Sequence, residues 1–139
     1  MASLIFNSYM DDLAKGNIDM NSDTFYVMLV TSTYTPNKDT HTKRSDVTNE
    51  VVGTGYTAGG QAVTPTLTLD TANDREDITF ADVTWTGSTI TARAGVVYKR
   101  RGGASSADEL LFYVDFGSDV STTGGTFTLD FTGPLRFQN

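Results

Sequence analysis

Hydrophobic and polar residues alternate along most of this chain. Thr64-Pro65-Thr66-Leu67-Thr68-Leu69 and Thr126-Phe127-Thr128-Leu129 put a threonine at every second position. That period places one residue set on each face of a strand, and the branched, uncharged Thr suits a half-solvated pleat. Ile90, Ala92, Ala94, Val96 and Tyr98 alternate with Thr91, Arg93, Gly95, Val97 and Lys99, which predicts a long strand with one inner face. Residues 24–30 (Thr-Phe-Tyr-Val-Met-Leu-Val) and 110–116 are apolar at both parities. Such runs predict central strands covered on both sides. Further strand signals lie at 62–70, 78–80, 83–85 and 126–131. Pro65 cannot donate to a ladder, so residues 62–70 should form an edge or bulged strand.

Between these runs lie turn signals. Residues 70–77 form a polar turn, Gly87-Ser88 reverses the chain, 100–108 is a loop, and 117–125 is a Ser/Thr/Gly turn. Residues 34–50 are a long polar excursion with room for one helical turn. Residues 53–60, with glycines at 53, 55, 59 and 60 around Tyr56, read as a flexible loop or irregular edge. Phe6, Tyr9, Met10 and Leu13 fall at helical spacing, so residues 3–15 predict the one substantial helix, capped by Ser3 and closed by Gly16. It either packs on the side of the sheet or serves as an arm that docks on a partner. About seven or eight strands then predict an all-β chain, a β-sandwich or jelly roll with a short N-terminal helix. Residues 1–139 are expected to form one domain, with 1–16 as helix or arm and 132–139 as a C-terminal tail.

Composition narrows the function more than the fold. The net charge is −7, from 10 Lys+Arg against 17 Asp+Glu. That field opposes phosphate binding and argues against direct contact with nucleic acid. No apolar run reaches the length of about 18 residues that a membrane helix needs, and the start Met1-Ala2-Ser3-Leu4-Ile5-Phe6 lacks a basic segment, so neither a span nor a signal peptide is expected. Chemistry is sparse. There is no Cys, and His41 is the one histidine, so neither a transition-metal site nor a Ser-His triad is expected. The acidic turn at Asp70, Asn73, Asp74, Glu76 and Asp77 has oxygen ligands for Ca²⁺ without the usual spacing, and a solvated hairpin is the preferred reading. The glycines at 53–60 match no phosphate-binding fingerprint. Asp115 and Asp130 are the best carboxylate pair for a hydrolase, although outward positions on a sandwich explain them more simply. Trp85, Tyr56, Tyr98 and Tyr113 offer stacking rings for a sugar, with Trp85 placed in the core by its alternation with Val83. No catalytic residue, cofactor or metal is therefore expected.

What remains is surface. Lys99-Arg100-Arg101 beside Gly102-Gly103 reads as a mobile basic loop in an acidic protein, and Lys43-Arg44 as a second patch. With Arg136 and Phe137 of the C-terminus, these seven residues are the candidates for contact with a partner.

The stretches 17–20 (Asn-Ile-Asp-Met), 24–41, 47–51 (Val-Thr-Asn-Glu-Val), 53–61, 82–85 (Asp-Val-Thr-Trp) and 90–94 (Ile-Thr-Ala-Arg-Ala) resemble small virion proteins of tailed phages and prophages, in particular capsid cement (decoration) proteins. The likeness weakens beyond about residue 100. It implies a non-enzymatic role on the outer surface of the virion head, in a protein made in the host cytoplasm. It also implies binding to the major capsid protein and self-association, as a homodimer in preference to a trimer. A head–tail connector or tail component is the nearest alternative, and a carbohydrate-binding module is an alternative of another class.

Overall fold

The structure is a computed structural model that describes residues 3–139. Eleven regular elements follow one another. They are β1 (Leu4–Ile5), α1 (Asn7–Lys15), β2 (Phe25–Val30), β3 (Gln61–Val63), β4 (Pro65–Asp70), β5 (Arg75–Phe80), β6 (Val83–Ser88), β7 (Thr91–Lys99), β8 (Leu110–Ser121), β9 (Gly125–Leu129) and β10 (Leu135–Gln138). The main sheet is antiparallel, in the order β1-β8-β7-β2-β3. A three-stranded sheet β10-β5-β4 and the pair β6-β9 complete the molecule. This is the all-β sandwich with one N-terminal helix that the alternation predicts.

The two apolar runs are the reason the main sheet sits in the middle. One face carries Phe25, Val27, Leu29, Val97 and Phe112, packed against Trp85 and Phe127 of β6–β9 and Ile78 and Phe80 of β5. The other face carries Met28, Val30, Ala94, Val96 and Tyr98, covered by Phe6 and Tyr34. Fully burying one such side chain contributes roughly 1.5–3 kcal/mol, so a strand apolar on both faces is stable only where both are covered. Helix α1 packs on the molecule: Tyr9 and Leu13 join the first of these cores.

Several boundaries differ from the sequence expectation. The helix begins at Asn7, after Phe6 as N-cap, with no side-chain cap. Residues Leu4–Ile5 pair instead with Tyr113 and Phe112, and the Ser3 hydroxyl accepts the Asp115 N–H at 2.9 Å. The Met1-Ala2 start of the predicted arm lies outside the described residues. Gly16 does close the helix in the left-handed conformation, φ 77°. The run 62–70 splits at Thr64: β3 ends the main sheet, and β4 is an edge of the three-stranded sheet with Pro65 as its first residue. Residues 117–121 continue β8 rather than turning, because Ser121 and Val120 pair with Thr91 and Ala92. Gly87-Ser88 lie within β6, at a register shift. The last of the predicted strands ends at Leu129. The predicted tail is in part a strand: Leu135, Arg136, Phe137 and Gln138 pair with Ile78, Asp77, Glu76 and Arg75.

Candidate functional site

The two basic patches, far apart in sequence, meet in space. The chain from Thr42 to Arg44 runs beside Asp108 to Leu110: Arg44 N–H donates to the Asp108 carbonyl at 2.8 Å and Leu110 N–H to the Thr42 carbonyl at 3.2 Å. This places Lys43 and Arg44 next to Lys99, the last residue of β7, and next to Arg100 and Arg101, which follow it. At the centre are two carboxylates that sequence reasoning passed over, Asp108 at 0% exposure and Glu109 at 1%. Arg44 Nε donates to Asp108 Oδ2 at 2.8 Å, and the Arg101 N–H to Asp108 Oδ1 at 2.9 Å. Arg101 Nε also donates to the Glu109 carboxylate, and Lys43 Nζ lies 3.9 Å from it. Lys99 Nζ is 2.8 Å from Asp23 and donates to the Asn17 carbonyl at 2.6 Å.

Buried carboxylates persist only when cations and hydrogen-bond donors compensate them. Neutralising Asp108 and Glu109 is therefore the first task of Arg44, Arg101 and Lys43. This corrects the expected mobile basic loop: Lys99 is the last residue of a strand, and Arg101 is tied through backbone and side chain. Arg100 differs from the others. Its guanidinium lies over the Tyr26 ring, 4.4 Å from the centroid, and it has no ion pair among the described residues.

Arg100 and Arg44 flank an open cleft of about 520 Å³ whose walls include Tyr26, Tyr98 and the backbone of Gly59-Gly60. Arg44 stacks over Tyr98 at 5.0 Å. The glycine wall was expected to be flexible, and it is pinned. The Glu50 carboxylate accepts the Tyr56 O–H at 2.6 Å and the Gly59 N–H at 2.7 Å. Tyr56 Oη accepts the Leu29 N–H at 2.9 Å, and the Tyr98 O–H donates to the Gly59 carbonyl at 2.6 Å. Burial pushes the Tyr98 phenol up to about 12 and raises Tyr56 further, so both stay protonated donors. Gly60, at φ 81°, lies so close to β2 that a Cβ would sit 1.8 Å from the Val27 carbonyl oxygen.

Arg136 and Phe137 lie elsewhere, on opposite faces of β10. Arg136 forks onto Asp77, Nε at 2.6 Å and Nη2 at 3.2 Å, and the Asp77 carboxyl is held below its usual range by that bond. Phe137 shares a cross-strand row with Glu76 and Leu69; the next row inward is Leu135, Ile78 and Leu67. Inward residues of this face, Ile78 and Phe80, are core. Outward, Leu67, Phe137 and Leu69 are 40, 51 and 71% exposed. Apolar side chains thus continue from the core to solvent along β4 and β10, on either side of Glu76 of β5. At Leu135 they meet a groove of about 290 Å³ lined by Ile5, Phe112, Phe131 and Pro134.

The remaining candidates are engaged in structure. Trp85 is 0% exposed, with Phe127 edge-on at 5.9 Å and Tyr56 at 6.0 Å, so neither Trp85 nor Tyr56 presents an open stacking platform; Tyr98 and Tyr113 are also buried. Asp115 accepts from Arg93 Nε and from the Gly117 N–H, each at 2.9 Å, and Asp130 is exposed. His41 Nδ1 lies 2.8 Å from the Tyr34 hydroxyl, a contact that fixes the long excursion. The acidic turn is a β4–β5 hairpin, with Asp70 bonded to Asn73. Among the described residues, no group of three or more His, Cys, Asp or Glu is placed to hold a metal ion, and no helix is long and apolar enough to cross a membrane. Comparison of the chain with family models, with curated proteins and with solved structures found no match.

Proposed function

We propose that this protein is a structural virion protein that cements a phage head by binding the outside of the major capsid lattice. The observation that carries the reading is the apolar strip Leu67, Leu69, Leu135 and Phe137. Large apolar side chains grouped on one exposed face mark a contact surface. Here a hydrogen-bonded sheet holds them, and its reverse face is stiffened by Arg136–Asp77 and by Arg75 between Asp70 and Asp77. Little conformational freedom is left to lose on docking. The resemblance of residues 17–20, 24–41, 47–51, 53–61, 82–85 and 90–94 to cement proteins supports the same reading.

Cementing by such a surface is mass action. A protein that binds the assembled lattice and not free subunits adds its binding free energy to the lattice at every occupied position. Many modest contacts then resist the outward pressure of packaged DNA together. The test is co-sedimentation with mature, undecorated heads of the phage or prophage that encodes the chain. Saturable binding at many copies per head is expected. Binding confined to necks or tails would move the protein to the connector or tail class, and no binding to any particle would end the proposal.

A further inference from the structure

We propose that the cleft between Arg44 and Arg100 is a carboxylate-binding site, and that it receives an acidic side chain of a protein partner. The identity of that partner as the capsid subunit rests on the function proposed above; the site itself does not.

Ten Lys and Arg residues are present, and only Lys38 and Arg100 lack an ion pair among the described residues. Lys38 is an exposed loop residue. Arg100 is oriented: its guanidinium lies on Tyr26, and stacking leaves the planar N–H edge free to hydrogen-bond. Arg44 spends Nε on Asp108, so its terminal nitrogens keep donor capacity. Nη1 reaches the Gly59 wall, 4.0 Å from where a Cβ on Gly59 would stand, and the same Cβ would lie 3.3 Å from Tyr98 Oη. The absent side chain leaves that corner of the cleft open, and the Glu50 and Tyr98 bonds hold it in place.

Charge sets the class of ligand. Of Lys43, Arg44, Lys99, Arg100 and Arg101, only Arg100 has no ion pair among the described residues, so the cleft offers one unpaired positive charge. A single unpaired cation matches a carboxylate better than a phosphate dianion. The net charge of −7 further opposes nucleic acid. A guanidinium fork meets a carboxylate with two parallel hydrogen bonds.

Two arms of one experiment separate the site from the partner. In the first, ¹⁵N-labelled protein is titrated with acetate at constant ionic strength, with chloride and inorganic phosphate as comparisons. Saturable shifts at the Gly59 and Gly60 amides and at Arg100 Nε are expected with acetate, and their loss in Arg100→Ala. Arg100→Lys keeps the charge without the fork and should bind more weakly than wild type. No saturable shift, the same shift in Arg100→Ala, or stronger binding of phosphate than of acetate would each overturn the proposal. The second arm measures affinity for heads. Arg100→Ala should lower it about tenfold, the lower end expected for a charge-assisted pair, and should flatten its salt dependence. Equal affinity of wild type and Arg100→Ala would remove the partner from the cleft. Failure of wild type itself to bind heads would end the proposed function, while the acetate titration still decides the site.

Discussion

Glu50→Ala isolates the device that holds the glycine wall. Glu50 is the shared acceptor of the Tyr56 O–H and the Gly59 N–H, at 2.6 and 2.7 Å. Its removal leaves both donors without a protein partner, and Tyr56 is the residue that satisfies the Leu29 N–H of β2. Hydrogen bonds to a charged group contribute about 1.5–3 kcal/mol each, so two should contribute about 3–6 kcal/mol. Glu50 is only partly buried, so water can enter as its side chain is removed and replace part of these bonds, and the lower end applies. The expectation is a loss of ~3 kcal/mol in urea unfolding with an unchanged m-value, and a fall in Tm of roughly 6–12 °C for a chain of this size. Glu50→Gln keeps one acceptor oxygen and should lose about half as much. Hydrogen exchange at Gly59 should quicken in both variants. A Glu50→Ala protein within ~0.5 kcal/mol of wild type would refute the reasoning, and residues 53–60 would then be the flexible loop that their glycines imply.

Gly60→Ala and Gly102→Ala share a left-handed φ, 81° and 87°, and differ in surroundings. The first forces a Cβ into the Val27 carbonyl and should destabilise by at least ~3 kcal/mol or prevent folding, whereas the second meets nothing within 4 Å and should cost only about 1 kcal/mol of backbone strain, by urea unfolding. For Asp115, desolvation raises the carboxyl, but the Arg93 and Gly117 hydrogen bonds outweigh it and hold the group at about 2. The folded value lies below the unfolded one of about 3.9. The contribution of Asp115 is therefore complete above that value and lost as pH falls toward 2, so Asp115→Asn should flatten that part of the stability–pH curve. Leu69→Asp alters a side chain that is 71% exposed. Facing Glu76 across the ladder, the new carboxylate should cost up to about 1 kcal/mol of stability and lower the affinity for heads by at least about tenfold, as measured by co-sedimentation.

The strands with strong periodicity were legible because their pattern is local. The apolar run 24–30 and the alternation at 90–99 carry their own signal, and the structure places both at the centre of the main sheet. The single inner face expected of the second is corrected, because Ala92 and Val97 join one core while Ala94, Val96 and Tyr98 join the other. β1 and β10 were not legible. Two and four residues cannot sustain a strand alone, and each exists only because β8 or β5 offers a free edge. The polar end of β8 reads as a turn because Gly117, Ser118 and Ser121 are turn residues, while the pairing that overrides them, with Thr91 and Ala92, is distant in sequence. The cations were visible and their state was not. Asp108 and Glu109 read as the end of a polar loop, and nothing local shows that both are buried beneath Arg44 and Arg101. Arg100, the one guanidinium without an ion pair among the described residues, emerges only when the ion pairs of its neighbours are known. Phe137 was singled out from the chain end alone; its row with Leu69 follows from the register of β10, β5 and β4.

The most direct test of the central claim is the temperature at which full heads release their DNA, measured with a dye, as purified protein is added to undecorated particles. Cementing requires a release temperature that rises with occupancy, levels off at saturation, and fails to rise with Leu69→Asp at the same concentration. Saturated heads that release DNA at the temperature of bare heads would contradict it.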